Sequence, residues 1–253
     1  MTPSPRLAAA LEAARAAATV ISKAYRGNVT VRTKADRTPV TDVDIAAEEA
    51  IRDVLSRCFP EDGFYGEETG VRKGRSDWVW LVDPIDGTRS FVRGYPFFST
   101  QIAAMKAGAI VLGVSSAPLF EELAWAERGS GAWLNDERCE VSDISVLEDA
   151  AVSSGNLRSL ARDARWAGWG SIVADVARIR GYGDFYHYHL LAAGRIDGVV
   201  ESDVNILDVA ALSVIVEEAG GIFTDLAGKP VGLDTTSVLA GNPAIYDILR
   251  SRL

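Results

Sequence analysis

The segment Asp83-Pro84-Ile85-Asp86 constrains this chain most, because it sets two carboxylates directly after the apolar run at residues 79–82. Such a run predicts a short buried strand. Pro84 fixes one backbone dihedral and is expected to stop the strand, so that the chain turns and Asp83 and Asp86 converge. Two carboxylates held close together repel each other unless a cation lies between them. The segment therefore predicts a cation site at the end of a buried strand.

Two further acidic residues stand at the ends of predicted elements, where sites are usually assembled. Glu67 follows Gly66, and Asp208 stands at the start of a predicted helix. A ligand set made only of oxygens, with no Cys or His beside it, favours Mg²⁺ or a similar hard ion. For any one of these aspartates taken alone, a turn or cap residue is the alternative interpretation.

Gly87 and Thr88 follow the paired carboxylates directly. If these residues open a helix, their backbone N–H groups form a positive end that suits a phosphate. Phosphoryl transfer needs both parts, since metal ions neutralise charge and amides orient the transferred group. The pattern thus predicts a site that processes a phosphate.

Charge and composition exclude several other classes of protein. The net charge of -9 comes without a basic cluster, which predicts no nucleic-acid partner. Charged or Gly residues interrupt every long apolar stretch, so we expect no membrane span. Cys58 and Cys139 lack the spacing of a disulfide framework or a zinc site. Glu12 and Arg15 break the Ala-rich N-terminal run and suit an amphipathic helix better than a signal peptide, so we expect a cytoplasmic protein.

The 253 residues, 48% of them hydrophobic, are enough for one large domain or two closely packed halves. We expect an α+β half over residues 1–146, with helices at 6–25 and 41–57, and an α/β half over residues 147–253. The two are expected to pack tightly as one unit. In the second half, the patterns predict helices at 171–179 and 185–193 and a helix opened by Asp208 and closed by Gly220-Gly221.

Residues 80–91, Trp-Leu-Val-Asp-Pro-Ile-Asp-Gly-Thr-Arg-Ser-Phe, closely resemble the hallmark of the inositol monophosphatase family. Gly66-Glu67-Glu68 and Asp208-Val209-Ala210-Ala211 match two other motifs of that family in order and spacing, and residues 39–44 resemble its early loop-to-helix motif. The resemblance covers about residues 30–225. It implies an α+β fold built as a layered αβαβα sandwich, and usually a homodimer. One departure is Leu207, where the family usually has a Trp that we interpret as a packing residue.

The same resemblance implies a role for each matched position. The implied ligands of two to three Mg²⁺ ions are Glu67, Asp83, the carbonyl of Ile85, Asp86 and Asp208. The implied catalytic residues, which activate a water for in-line attack on phosphorus, are Asp44, Thr88 and Glu67. The implied contacts to a small phosphorylated substrate are Gly87, Thr88, Asp184, Glu201 and Asp208.

Residues 180–185 and 190–197 resemble the histidinol-phosphate phosphatase branch of the family. A carboxylate at Asp184 suits that substrate, because histidinol phosphate carries an ammonium and a protonatable imidazole, whereas inositol phosphate offers only hydroxyls. Glu201 accepts from either kind of group and does not discriminate. The alternative for Asp184 is the N-cap of the following helix.

Three interpretations of function stay open on these residues. The first is hydrolysis of L-histidinol phosphate in histidine biosynthesis, and the second is hydrolysis of inositol 1-phosphate or a related sugar monophosphate. The third is a regulatory or RNA-associated binding protein that retains the fold. His187 and His189 lie two residues apart and face different sides of a helix, so we expect packing or surface roles rather than a metal pair.

Overall fold

The computed structural model of the protein describes residues 3–27, 29–34 and 39–253. Helices and sheets alternate in five layers, which confirms the predicted αβαβα sandwich. One helix pair covers the outer face of an eight-stranded sheet. A second pair lies between this sheet and a five-stranded sheet, and a third pair covers the far side of the smaller sheet.

The outer helix pair comes from the N-terminal part of the chain. Its helices are α1 (Pro5–Ala24) and α2 (Asp42–Cys58), and between them in sequence lie the paired strands β1 (Val31–Thr33) and β2 (Pro39–Thr41). Ser4 caps α1 by accepting a hydrogen bond from the Leu7 amide, and Pro5 at the first helical position needs no partner for its nitrogen. The buried apolar stripes of α1 and α2 pack on the eight-stranded sheet, as the helical periodicity predicts.

The eight-stranded sheet forms the second layer. Its strands are β3 (Gly63–Gly66), β4 (Gly70–Arg72), β5 (Trp78–Asp86), β6 (Ser99–Lys106), β7 (Ala109–Ala117), β8 (Glu122–Glu127), β9 (Ala132–Leu134) and β10 (Glu137–Cys139). They lie in the order β10-β9-β8-β7-β6-β5-β3-β4, and within this sheet only the β3–β5 pair is parallel. The short helix α3 (Thr88–Arg93) follows β5.

Strand β5 does not stop at Pro84, and the prediction that it would is wrong. The strand continues to Asp86 through a bulge, in which Asp83 pairs with Gln101 and Asp86 pairs with Ser99. Three steps along β5 thus match two steps along β6. Without the extra residue, Asp83 and Asp86 would point to opposite faces of the sheet, because side chains alternate along a strand. A bulge also tolerates Pro84, which has no N–H to give to the ladder.

The remaining layers come from the C-terminal part of the chain. The inner helices are α5 (Tyr186–Ala192) and α6 (Ile206–Glu218), and α4 (Trp166–Asp175) and α7 (Pro243–Arg252) cover the far side. The strands of the smaller sheet are β11 (Ala151–Ser154), β12 (Arg178–Arg180), β13 (Gly198–Ser202), β14 (Ile222–Thr224) and β15 (Ser237–Gly241). They lie in the order β12-β11-β13-β15-β14.

Two predicted helix positions in this part need correction. The helix expected at residues 171–179 is α4, which ends at Asp175, and Ile179 lies in β12 beside Val152 of β11. Two glycines in the first turns of α4 lower its helix propensity, so the sequence does not predict where the helix begins. The apolar residues beyond Asp175 continue a helix-like pattern, so the predicted helix runs too far. The helix expected to open at Asp208 begins at Ile206, with Asn205 as its N-cap.

Within the described residues, no helix combines the length and the apolar character that a membrane span requires. Cys58 is exposed, Cys139 is buried, and both are free thiols. Leu207 packs in a buried cluster with Leu81 of β5 and Ala103 of β6, which is the packing role we expect at this position.

Candidate active site

Three carboxylates converge where the end of β5 meets the start of α6. Asp83, Asp86 and Asp208 each place one oxygen so that the three oxygens lie within 4.8 Å of one another. The bulge in β5 brings the first two to one side of the sheet, and the first turn of α6 adds the third. The structure thus brings together three of the five predicted metal ligands as one cluster.

Asp208 is held in place by the residue that caps its own helix. The Asn205 amide nitrogen donates to Oδ2 of Asp208 at 2.8 Å, and the Asn205 side-chain amide donates to Oδ1 at 2.6 Å. In return, Asn205 Oδ1 accepts from the Leu207 amide at 2.8 Å. This reciprocal capping box fixes the Asp208 carboxylate before any ligand arrives.

The three carboxyl groups all have raised pKa values. Burial is the largest cause for Asp83 and Asp86, and their acidic neighbours raise the pKa of both further. Burial also raises the pKa of Asp208 to about 7, against the lowering effect of its hydrogen bonds from Asn205. A divalent cation among them would reverse this trend, since it favours the charged forms. The donor set, composed entirely of oxygens, fits a hard divalent cation.

Glu67 lies outside the three-carboxylate cluster, although it lines the same cavity. The ammonium of Lys34 lies 2.8 Å from Oε1 of Glu67 and 2.8 Å from Oε1 of Glu68. Burial alone would lower the pKa of Lys34, but the two glutamates hold it above its ordinary value. Lys34 is a residue that the sequence analysis missed, and it supplies the positive charge that Glu67 contacts in this structure.

The turn that carries Glu67 is fixed from α2 by Glu48, another residue that the sequence analysis missed. The buried Glu48 carboxylate accepts hydrogen bonds from the amides of Glu68 and Thr69, at 2.8 and 2.9 Å. A Cβ at Gly66 would lie 2.5 Å from the Glu48 carboxylate, so a larger residue there would displace the carboxylate that holds the turn. Glu48 follows Asp44 by four residues on α2, so a shared helix face was the available signal.

Asp44 and Thr88 lie together beside the cluster. The Thr88 hydroxyl lies 3.1 Å from Oδ1 of Asp44 and 2.9 Å from the carbonyl oxygen of Ile85. Oδ2 of the fully buried Asp44 accepts from the amide of Thr41 at 2.8 Å, and burial raises the pKa of this carboxyl. The predicted catalytic pair is therefore preassembled, with the Ile85 carbonyl bonded to the same hydroxyl.

Gly87 and Thr88 do open a helix, as the sequence predicts. Thr88 is the first residue of α3, and Gly87 takes the left-handed conformation at its N-cap with φ of 87°. A Cβ at Gly87 would lie 2.6 Å from the carbonyl oxygen of Phe97, so no larger residue fits. Gly87 and Thr88 border a cavity of about 680 Å³, and the three clustered carboxylates line the same cavity.

Asp184 and Glu201 line another part of that cavity. Burial, and then the charge of Glu201, raise the pKa of Asp184 to about 6. The N-cap interpretation of Asp184 is wrong, because Phe185 occupies the cap of α5 and no side chain caps that helix. Asp184 instead has φ of 44°, which turns the chain just before α5.

Glu201 is held by three donors. Its Oε2 accepts from the Tyr188 hydroxyl at 2.8 Å and lies 3.2 Å from Nε2 of His187, and its Oε1 accepts from the Asn156 amide at 3.1 Å. Burial and the Glu201 charge hold the pKa of Tyr188 well above its usual range, so the phenol remains a donor. Tyr188 and Asn156 are residues that the sequence analysis missed, since no local motif links them to Glu201.

Both histidines of α5 are buried and make polar contacts, so the surface role that we considered for them is wrong. His189 lies 2.8 Å from Glu122 and 2.8 Å from Ser115, on β8 and β7 of the large sheet. His187 instead contacts Glu201 and Ser153 of the small sheet. The two rings serve opposite sheets, which fits the prediction that they do not form a metal pair.

Comparisons with known proteins agree with this architecture. The model of the "Inositol monophosphatase family" matches residues 2–252. The chain belongs to this family. It is 40% identical over 228 residues to a histidinol-phosphatase of Mycobacterium tuberculosis, a match that covers 88% of the chain and 87% of that relative. It is also 36% identical over 255 residues to the Nus factor SuhB of Pasteurella multocida, covering 98% of the chain and 96% of the relative.

A solved structure gives the same result for the fold. The extragenic suppressor protein suhB from Bartonella henselae superimposes with a TM-score of 0.92 at 35% sequence identity, and the match covers 98% of each chain. Family membership confirms the resemblance drawn from the motifs, and the protein is a phosphatase of the inositol monophosphatase family.

Proposed function

We propose that this phosphatase hydrolyses L-histidinol phosphate to L-histidinol and phosphate, with Mg²⁺ as its cofactor. One observation carries the proposal: the partly buried Asp184 and the buried Glu201 line the same cavity as the Asp83, Asp86 and Asp208 cluster. The cluster suits a phosphate bound through metal ions, and the carboxylate pair suits a cationic alcohol. The similarity to histidinol-phosphatases supports the same choice.

Charge distinguishes the two kinds of substrate at the part of the cavity formed by Asp184 and Glu201, which we call the acidic wall. The pKa of Asp184 is raised because its charged form is buried beside another carboxylate. An ammonium or imidazolium placed next to it would relieve that repulsion, and the low dielectric of a buried site strengthens the attraction. A hydroxyl carries no charge to offset the repulsion. The wall should therefore favour a cationic ester over inositol 1-phosphate.

The metal ions would be held by oxygen ligands from the cluster. We propose that Asp83, Asp86 and Asp208 bind Mg²⁺, that the Ile85 carbonyl and Glu67 contribute to two to three ions in total, and that Lys34 then leaves Glu67. When bound, the ions neutralise the phosphate and lower the pKa of the attacking water. Gly87 and Thr88, at the start of α3, would orient the phosphate through their amides.

The residues of the chain itself then handle the water and its proton. With the Ile85 carbonyl engaged by a metal ion, the Thr88 hydroxyl would donate its one hydrogen to Asp44, 3.1 Å away, and accept a hydrogen bond from the attacking water, which aligns that water with the phosphorus. Asp44 is held rigidly by Thr41, and its raised pKa suits it to take up a proton through the Thr88 hydroxyl. Glu67 would help to position the same water.

Phosphate release from separate substrates tests the proposal. The purified protein with Mg²⁺ should release phosphate from L-histidinol phosphate with a kcat/KM at least about tenfold above that for inositol 1-phosphate. Removal of divalent ions with a chelator should abolish both activities, and Mg²⁺ should restore them. A preference for inositol 1-phosphate would contradict the proposed substrate, and full activity in chelator would contradict the metal site.

A regulatory or RNA-associated binding protein is the competing interpretation of this chain. A relative of similar identity is named Nus factor SuhB, so a binding role for this fold is a real competitor. The acidic net charge and the complete catalytic set argue for an enzyme that binds no nucleic acid.

A homodimer is a further proposal that rests on the family resemblance, and light scattering should then give twice the mass of the chain.

A further inference from the structure

His187 contacts Glu201 of the acidic wall, and none of the proposed catalytic steps uses it. Its ring is fully buried, with 0% of the side chain exposed. Nε2 lies 3.2 Å from Oε2 of Glu201, and Nδ1 lies 3.3 Å from the Ser153 hydroxyl. Buried polar groups need partners, and here both ring nitrogens have one.

The hydrogen bonds around Ser153 give the network a direction. The Tyr182 amide donates to Ser153 Oγ at 3.3 Å, which leaves the Ser153 hydroxyl hydrogen free to donate to Nδ1 of His187. The ring then carries its hydrogen on Nε2 and donates it to Glu201. One continuous chain of hydrogen bonds thus runs from the Tyr182 backbone to the Glu201 carboxylate.

This chain ties the two carboxylates of the wall to one another. Tyr182 lies two residues before Asp184, in the segment that turns into α5, and Glu201 lies on β13 of the small sheet. Ser153 lies on β11, which is hydrogen-bonded to β13. His187 therefore connects the backbone that carries Asp184 with the side chain of Glu201.

We infer that His187 is a positioning residue for substrate selection, which fixes the spacing of Asp184 and Glu201 and so sets the preference for a cationic phosphate ester. Tyr188 supports it by donating a second hydrogen bond to the same Glu201 oxygen at 2.8 Å. The inference rests on the proposed function, because it explains how the proposed acidic wall is built. It assigns no contact between His187 and the substrate.

The alternative is a purely structural role, and His189 provides the matched control. Both histidines are buried on α5, but His189 contacts Ser115 and Glu122 of the large sheet and neither carboxylate of the wall. Loss of either ring should lower the melting temperature. Only the loss of His187 should change which ester the enzyme prefers.

The experiment compares kcat/KM for L-histidinol phosphate and for p-nitrophenyl phosphate, an activated ester that lacks a cation, in matched variants with Mg²⁺. His187→Leu should lower the ratio of the two values roughly tenfold to hundredfold, the loss expected for a hydrogen bond to a charged group. His187→Gln, which can still donate to Glu201, should recover most of the ratio. His189→Leu should leave the ratio unchanged.

Two smaller changes keep the inference testable if His187→Leu does not fold. Tyr188→Phe removes a second donor to the charged Glu201 and should lower the ratio roughly tenfold to hundredfold, whereas Ser153→Ala removes a hydroxyl that bonds to His187 and should lower it by about threefold to tenfold. An unchanged ratio in every foldable variant, or an equal fall in His189→Leu, would overturn the inference. If the wild type itself shows no preference for histidinol phosphate, the proposed function fails instead.

Discussion

The two acidic regions of the cavity differ in how the protein holds them. In the Asp83, Asp86 and Asp208 cluster, the carboxylates lie against one another and their pKa values rise, so the cluster suits a cation that comes from outside. Glu201, in the acidic wall, accepts hydrogen bonds from Tyr188 and Asn156, whereas the side chain of its neighbour Asp184 accepts none from the described residues. We propose that the cluster binds metal ions and that the acidic wall selects the substrate, so that the two functions are built by different means in one cavity.

The largest effect should come from the cluster itself. Asp86→Asn removes one charge from the group that would hold the metal ions, so kcat should fall by a factor on the order of 10³. Phosphate release in saturating Mg²⁺ checks this, with Asp136→Asn as the control, since Asp136 is exposed in the turn between β9 and β10. Activity that survives Asp86→Asn would show that the cluster is not the catalytic centre.

The stability of the metal-free protein should depend on pH in the direction set by the raised pKa values. Burial raises the pKa of Asp208 to about 7 and that of Asp184 to about 6. Between the unfolded and the folded pKa the native state holds protons that the unfolded chain has lost, so stability is present at low pH and falls as pH rises through this window.

The loss should approach about 1.4 kcal/mol per pH unit for each carboxyl that titrates. Thermal melts in chelator from about pH 5 to about pH 8 measure it. Excess Mg²⁺ should flatten the slope, because a bound cation stabilises the charged cluster. A metal-free melting temperature that rises across this range would contradict the assigned direction.

The smallest effect concerns Lys34, which we expect to compete with a metal ion for Glu67. Lys34→Met removes the ammonium that lies 2.8 Å from Glu67. The Mg²⁺ concentration for half-maximal activity should therefore fall by about twofold to fivefold, in keeping with a partly exposed ion pair. Lys229→Met, at an exposed position in the second half of the chain, should leave that concentration unchanged. An increase after Lys34→Met would mean that Lys34 supports metal binding.

The cluster and the acidic wall also differ in how far the sequence alone could predict them. Asp83, Asp86 and Gly87 lie within five consecutive residues, so local chemistry was enough to group them, even though the mechanism that brings them together is a bulge rather than a turn. Asp208 was found as a helix-start residue, and Asn205 is the true cap. Sequence patterns were therefore sufficient where one short segment contains all the residues of a feature.

The acidic wall was harder to predict from the sequence, because its residues and their hydrogen-bond partners come from three separate segments. Glu201 was found only through family likeness, and its partners His187, Tyr188 and Asn156 meet it across the boundary of α5 and the small sheet. No spacing in the sequence encodes these contacts. Lys34 was missed for the same reason, since it meets Glu67 only after β1 and the β3–β4 turn come together.

The most direct test of the division between cluster and wall is the discrimination of Asp184→Asn. This change removes one of the two carboxylates of the wall and leaves Glu201, Asp83, Asp86 and Asp208 intact. The kcat/KM for L-histidinol phosphate should fall at least about tenfold, while that for p-nitrophenyl phosphate should change by less than about threefold. An equal fall for both esters, or none for either, would contradict the assignment of substrate selection to the wall.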